Sequence, residues 1–195
     1  LIVIATRLTA KSLRSIYQLK VTLKGMRPPI WRRILVASTT KLDDIHLILQ
    51  IVMGWTNSHL HEFIQGRDRY GEPDEDFPSG AQDETRYRLD QILKQEKEKL
   101  IYLYDFGDGW EHEVVLEKIL PFETSATLPL CLKGRRACPP EDIGGIGGYM
   151  MFLDAISDPA HAEHEVMLEW IAEDIEGSFD PETFDLAEVN QLLQS

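Results

Sequence analysis

The stretch of the chain richest in chemistry is YDFGDGWEHEVVLE, residues 104–117. Strand alternation puts His112 on the same face as the apolar Trp110, Val114 and Leu116. An imidazole in such company is satisfied by a partner, tuned for proton transfer, or bound to a metal. Asp108-Gly109 reads as a two-residue type I′ hairpin turn. That turn sets Asp105 opposite His112, Leu103 opposite Val114 and Ile101 opposite Leu116, and leaves Tyr102, Tyr104, Glu113 and Glu117 on a wetter face. An Asp-His pair so formed serves as a structural link, a base oriented by a carboxylate, or a metal ligand with its supporting carboxylate.

The metal reading draws in HLHEF, where His59 and His61 would project from one face of a strand. The candidate metal set is His59, His61, Asp105 and His112, extended by Glu141 or Asp142, with Asp108 and Trp110 bordering the same polar site; a divalent metal is the cofactor it implies. A weaker set is Cys131 and Cys138 with His161 and His164. Six residues separate the two cysteines, against the two to four usual in zinc knuckles. Gly144, Gly145, Gly147 and Gly148 do not make a phosphate loop: no Lys-Ser or Lys-Thr follows, and Glu141 and Asp142 would repel an anion. They read as a tight entry to a helix near Tyr149.

The elements that must position these groups follow from periodicity. IYQLKVTL and IWRRILVAS alternate as strands, and TTKLDDIHLILQIVMGW switches to helical spacing with Ile45, Ile48, Leu49 and Val52 on one stripe. Thr40 and Asp43 resemble a capping box for that helix. Strands return in HLHEFIQG, KLIYLYDF and WEHEVVLEKIL, and residues 67–79 read as a polar loop. Asp158 and Pro159 then predict the start of a helix with the stripe Met167, Trp170, Ile171 and Ile175, and DLAEVNQLL a short last helix. The fold class expected is α+β, a mostly antiparallel sheet with an N-terminal ββα unit, a central hairpin and C-terminal helices.

Composition bounds the function. The chain has 195 residues, 43% of them hydrophobic, enough for one substantial core, and its two cysteines fit a reducing compartment. No apolar run is long enough to span a bilayer, which predicts a soluble, cytoplasmic protein without a membrane partner. The net charge is −13, but residues 1–42 hold nine Lys or Arg and no acid, while residues 141–195 hold fourteen Asp or Glu and no Lys or Arg. The two ends should attract each other, within one chain or between copies, so a protein partner or homo-oligomer is expected and duplex DNA is disfavoured.

The motifs PPIWRRI, HLHEF, YLYDFGDGWEHEVVLE, CPPEDIGGIGGY and FDPETFDLAEVN, in this order, resemble the Ri-plasmid open-reading-frame-three family, whose members are often labelled transposon passenger proteins of a TnpR type. The resemblance runs from about Tyr17 to Leu192. It implies an α+β domain linked with plasmids and mobile elements, without an established activity. On this basis residues 1–16 form an extension and 17–195 a single domain. The resolvase label fits poorly: a serine recombinase needs a nucleophilic Ser among several arginines and a basic DNA-binding helix pair, and the last 55 residues contain no Lys or Arg. Arg7 and Ser12 alone do not supply that machinery. The functional reading is a noncatalytic binding or interaction module accessory to plasmids or mobile elements, with a polar site at the Asp-His hairpin. Its rivals are a metal-dependent hydrolase or metal-binding protein using the His/Asp cluster, and a nucleic-acid binder using the basic N-terminal strands.

Overall fold

Alternating apolar and polar residues build one large sheet. A computed structural model describes residues 15–73, 80–123, 125–174 and 179–195; the expectations for Arg7, Ser12 and the rest of residues 1–14, for the polar loop at 74–79 and for Ile175 lie outside the described residues. The order is β1 (Ile16–Leu23), β2 (Trp31–Ala37), α1 (Leu42–Met53), β3 (His61–Gln65), β4 (Asp68–Gly71), β5 (Gln82–Asp83), a 3-10 turn (Glu84–Arg86), α2 (Leu89–Ile92), β6 (Lys99–Tyr104), β7 (Trp110–Leu120), β8 (Leu130–Arg135), α3 (Gly145–Ser157), α4 (His164–Asp174) and α5 (Leu186–Leu193). The sheet runs β5-β4-β3-β6-β7-β1-β2-β8, antiparallel except for β4 with β5. The fold is α+β.

One sheet face forms the core. Tyr17, Leu19, Val21 and Leu23 of β1 are buried on it, as are Ile45, Ile48, Leu49 and Val52 of the α1 stripe. Arg32 also points inward, its Nε donating to the Val52 carbonyl at 2.6 Å and its guanidinium lying 4.1 Å from the Phe184 ring centroid. That contact ties the C-terminal segment to β2. Among the described residues no helix is long and apolar enough to cross a membrane.

Several local expectations change. Within the segment expected as a polar loop, Asp68–Gly71 form β4, paired with β3. Thr40 does not cap α1: the helix opens at Leu42 with Lys41 in the N-cap position, because the Leu42 N–H is taken by the Tyr87 carbonyl and the Thr40 carbonyl accepts from Leu89. Asp158 starts no helix; its carboxylate accepts from the Ala160 N–H in a turn, and α4 begins at His164. The hairpin between β6 and β7 has five loop residues rather than two.

In that loop the Gly109 N–H donates to the Asp105 carbonyl at 2.7 Å, and both residues have positive φ, 57° and 68°. The pairing is Tyr104 with Trp110, Tyr102 with His112 and Leu100 with Val114, so β6 is displaced by three residues from the expected register. An odd displacement swaps the strand faces. Tyr102 and Tyr104 are therefore fully buried, Ile101 and Leu103 lie half-buried on the other face, and Asp105 is not opposite His112. The turn signal was outweighed by the burial of two aromatic rings and by a bond from the Asp105 N–H to the Leu60 carbonyl at 2.9 Å.

Gly145, Gly147 and Gly148 lie in the first turn of α3, and Gly144 is its N-cap, rather than all four forming a loop before it. A Cβ on Gly148 would lie 1.8 Å from the Ile143 carbonyl oxygen, and one on Gly145, 2.5 Å from the Asp108 oxygen, whereas Gly147 faces open space. This close approach fixes residues 142–144 against the hairpin. Gly148→Ala is expected to cost about 1–3 kcal/mol in urea unfolding, while Gly147→Ala should be neutral or stabilising by up to about 1 kcal/mol. Equal effects from the two would contradict the packing described.

Candidate functional site

The histidines and acids of the sequence fall into two sets, one interior and one at a rim. His112 lies wholly in the interior: its Nδ1 is 3.3 Å from the Tyr102 carbonyl, its Nε2 has no hydrogen-bond partner among the described residues, and its ring meets Trp55 edge-on at 5.1 Å. His61 opens β3, its Nε2 within 3.0 Å of both Glu84 oxygens, and its ring stacks on His46 at 3.5 Å with the planes 3° apart. His46 Nε2 lies 2.6 Å from Asn57 Oδ1, which can only accept, so that nitrogen carries the proton and Nδ1 accepts from the Tyr102 hydroxyl at 2.8 Å. Gln50 donates to the same hydroxyl and accepts from the Asn57 N–H. This network fixes the loop after α1.

His59 stands apart from His61, since β3 begins only at His61. Its Nε2 is 3.2 Å from Asp142 Oδ1 and 3.8 Å from Asp105 Oδ2, without a hydrogen bond to either. One ligand atom from each of these three residues lies within 4.8 Å of the others, and no other such group of histidines, cysteines and acids occurs among the described residues. Asp105 is nine-tenths buried, its Oδ1 accepting from the Gly107 N–H at 2.8 Å, and the Asp142 side chain is 74% exposed. Asp105 and Asp142 both adopt left-handed backbone, φ 57° and 60°, a conformation Asp tolerates better than most residues.

Glu141 holds the cluster's two sides together. It accepts from the Thr56 N–H at 3.0 Å, from the Thr56 hydroxyl at 2.5 Å, and from the Tyr104 hydroxyl, which in turn accepts from the Ser58 N–H. Asp108 adds a bond from the Gly144 N–H at 3.1 Å. Glu141 and Asp108 thus shape the loops and are not themselves in the cluster. Trp110 is fully buried opposite Tyr104, and its Nε1 has no hydrogen-bond partner among the described residues. Glu141 and Asp142 also line an open cleft of about 1300 Å³ whose other walls include Trp55, Trp170 and Phe179.

The cysteine set does not assemble. Cys131 sits on β8 with its thiol toward the Lys133 carbonyl, His164 Nδ1 lies against the Ala155 carbonyl, and His161 faces Asp154 at 4.0 Å. Burial pushes the Cys138 thiol up to about 12, so it is not a ready thiolate ligand. The sequence does not single out His46, Glu84 or Thr56, and Tyr104, expected on a wetter face, is buried. The one available signal was the four-residue spacing of His46 and Gln50, which stacks both on one side of α1.

Burial lowers the pKa of His112 to about 4; burial and then the neighbouring His61 lower that of His46 to about 4. An unfolded histidine takes up a proton near pH 6.5. The folded values lie below the unfolded one, so stability is undiminished above about pH 6.5 and falls as pH drops from there toward 4, by up to about 1.4 kcal/mol per unit for each ring. Urea unfolding between pH 7.5 and 4.5 should show this decline, with proton uptake on unfolding approaching two from these rings. A midpoint independent of pH would contradict the assignment.

The crystal structure of a protein of unknown function, MM3350 from Methanosarcina mazei Go1, superposes with a TM-score of 0.79 at 36% identity, covering 90% of this chain and 98% of that one. The uncharacterized protein y4hQ of Sinorhizobium fredii is 43% identical over 157 residues, 80% of each chain. The model of plasmid pRiA4b ORF-3-like proteins matches residues 15–188, and the chain belongs to that family.

Proposed function

We propose that the protein is a binding module whose rim site takes a divalent cation on His59, Asp105 and Asp142. The observation that carries this reading is His59 Nε2, a buried nitrogen directed between two carboxylates and hydrogen-bonded to neither. Bonds of about 2.0–2.2 Å from one ion would hold ligand atoms roughly 3–4 Å apart, the range of the two histidine–carboxylate distances. One imidazole with two carboxylates suits zinc, manganese or iron more than calcium, and three protein ligands leave coordination positions open. Asp142 also lines the cleft, which favours a ligand that approaches the ion from there. Two carboxylates neutralise the ion, so the module needs no other charge at the site. The family's plasmid name supports its being an accessory of plasmids or mobile elements.

Protein purified without a metal-affinity tag and titrated calorimetrically with Zn²⁺ or Mn²⁺ should bind one equivalent. Asp105→Asn or His59→Ala should weaken that binding at least about tenfold, in the range that loss of a ligand or its support produces. His61→Ala should leave the affinity unchanged while lowering stability, because it strands Glu84 in the interior. Equal affinity in the wild type and in Asp105→Asn would refute the site.

A further inference from the structure

The charge segregation of the sequence is left unspent inside the chain. Strands β1, β2 and β8 carry five basic residues, Lys20, Arg32, Arg33, Lys133 and Arg135, and no acid. Arg32 points into the core, and the other four project from the opposite face. Register places Lys20 beside Arg33, Arg33 beside Lys133, and Trp31 beside Arg135. The Lys20 ammonium and the Arg33 guanidinium lie 5.5 and 5.3 Å from the Trp31 ring centroid. Arg33 is paired with Glu117 of β7, but Lys133 and Arg135, both exposed, have no ion pair among the described residues.

The complementary surface is the outer side of α4. Glu165 and Glu169 are exposed there without a cationic partner among the described residues, and Val166 beside them is 60% exposed. Among the described residues, the ion pairs that C-terminal acids make go to His59, His161 and Arg136, none of them in the basic N-terminal region.

We propose that the basic face around Trp31 docks the acidic outer side of α4 of a second copy of this chain. Each copy carries both surfaces, with an apolar group set among the charges on each, Trp31 on one and Val166 on the other. At 0.15 M ionic strength the screening length is about 8 Å, so contact between these two patches outweighs the repulsion of net charges spread over the whole molecule. A polyanion such as nucleic acid extends beyond the patch and meets the acidic remainder.

Sedimentation velocity of the full chain at 0.15 M and 1 M NaCl tests this. Association is expected at 0.15 M and its loss at 1 M. Lys133→Glu with Arg135→Glu should weaken it about tenfold or more, and so should Glu165→Lys with Glu169→Lys. All four positions are exposed, so the fold is not at risk. Mixing the two reversed proteins should restore association, since the acidified sheet face of one then meets the basic helix of the other. A monomer at 0.15 M NaCl, association indifferent to both reversals, a mixture that fails to recover, or preferential binding of a labelled single-stranded oligonucleotide to the Trp31 face would each overturn the proposal.

Discussion

The carboxylate of Glu141 is the contact on which the rim site depends. It joins three segments distant in sequence: the loop after α1 through Thr56, the end of β6 through Tyr104, and the 137–144 loop to which it belongs. Each adjoins one member of the cluster, His59, Asp105 and Asp142 respectively. Asn57, Asp105 and Asp142 all hold positive φ, a conformation that costs of order 1 kcal/mol or more at each non-glycine residue. Such backbone persists only where neighbours over-determine it. Here Glu141 does so on one side and the Gln50–His46–Tyr102 network on the other.

The division of labour among the histidines follows from depth. His46, His61 and His112 are buried, and the first two have hydrogen-bonded side-chain partners that account for their presence in the core. Of the four histidines nearest the hairpin, His59 alone is partly exposed, and its Nε2 faces acids on two sides. His46 belongs to the support of this rim: bonded to Asn57, it holds the chain two residues before His59, so interior order is transmitted outward as fixed ligand geometry.

Much of this was legible in local patterns. Alternation in IYQLKVTL and WEHEVVLEKIL marks the bounds of β1 and β7, and the stripe Ile45, Ile48, Leu49, Val52 marks the buried face of α1. Strand β8 escaped notice because LCLKGR carries no clean alternation, with Leu132 and Lys133 both exposed. The hairpin register was illegible for a different reason. Asp108-Gly109 is a strong turn signal, yet pairing is decided by whether Tyr102 and Tyr104 or Ile101 and Leu103 enter the core, and by a bond to Leu60 forty-five residues away. The carboxylates near the histidines were recognisable as a group, but which His meets which Asp is a long-range outcome: Asp105 faces His59, not His112.

The central claim is that His59, Asp105 and Asp142 converge to hold a divalent cation. Crystals grown with Zn²⁺ or Mn²⁺ and measured on both sides of the metal's absorption edge test it most directly. The account predicts one dominant anomalous peak about 2.0–2.2 Å from His59 Nε2 and from a carboxylate oxygen of each aspartate. A peak at His61 and Glu84, at the cysteines, or nowhere at saturating metal would contradict it.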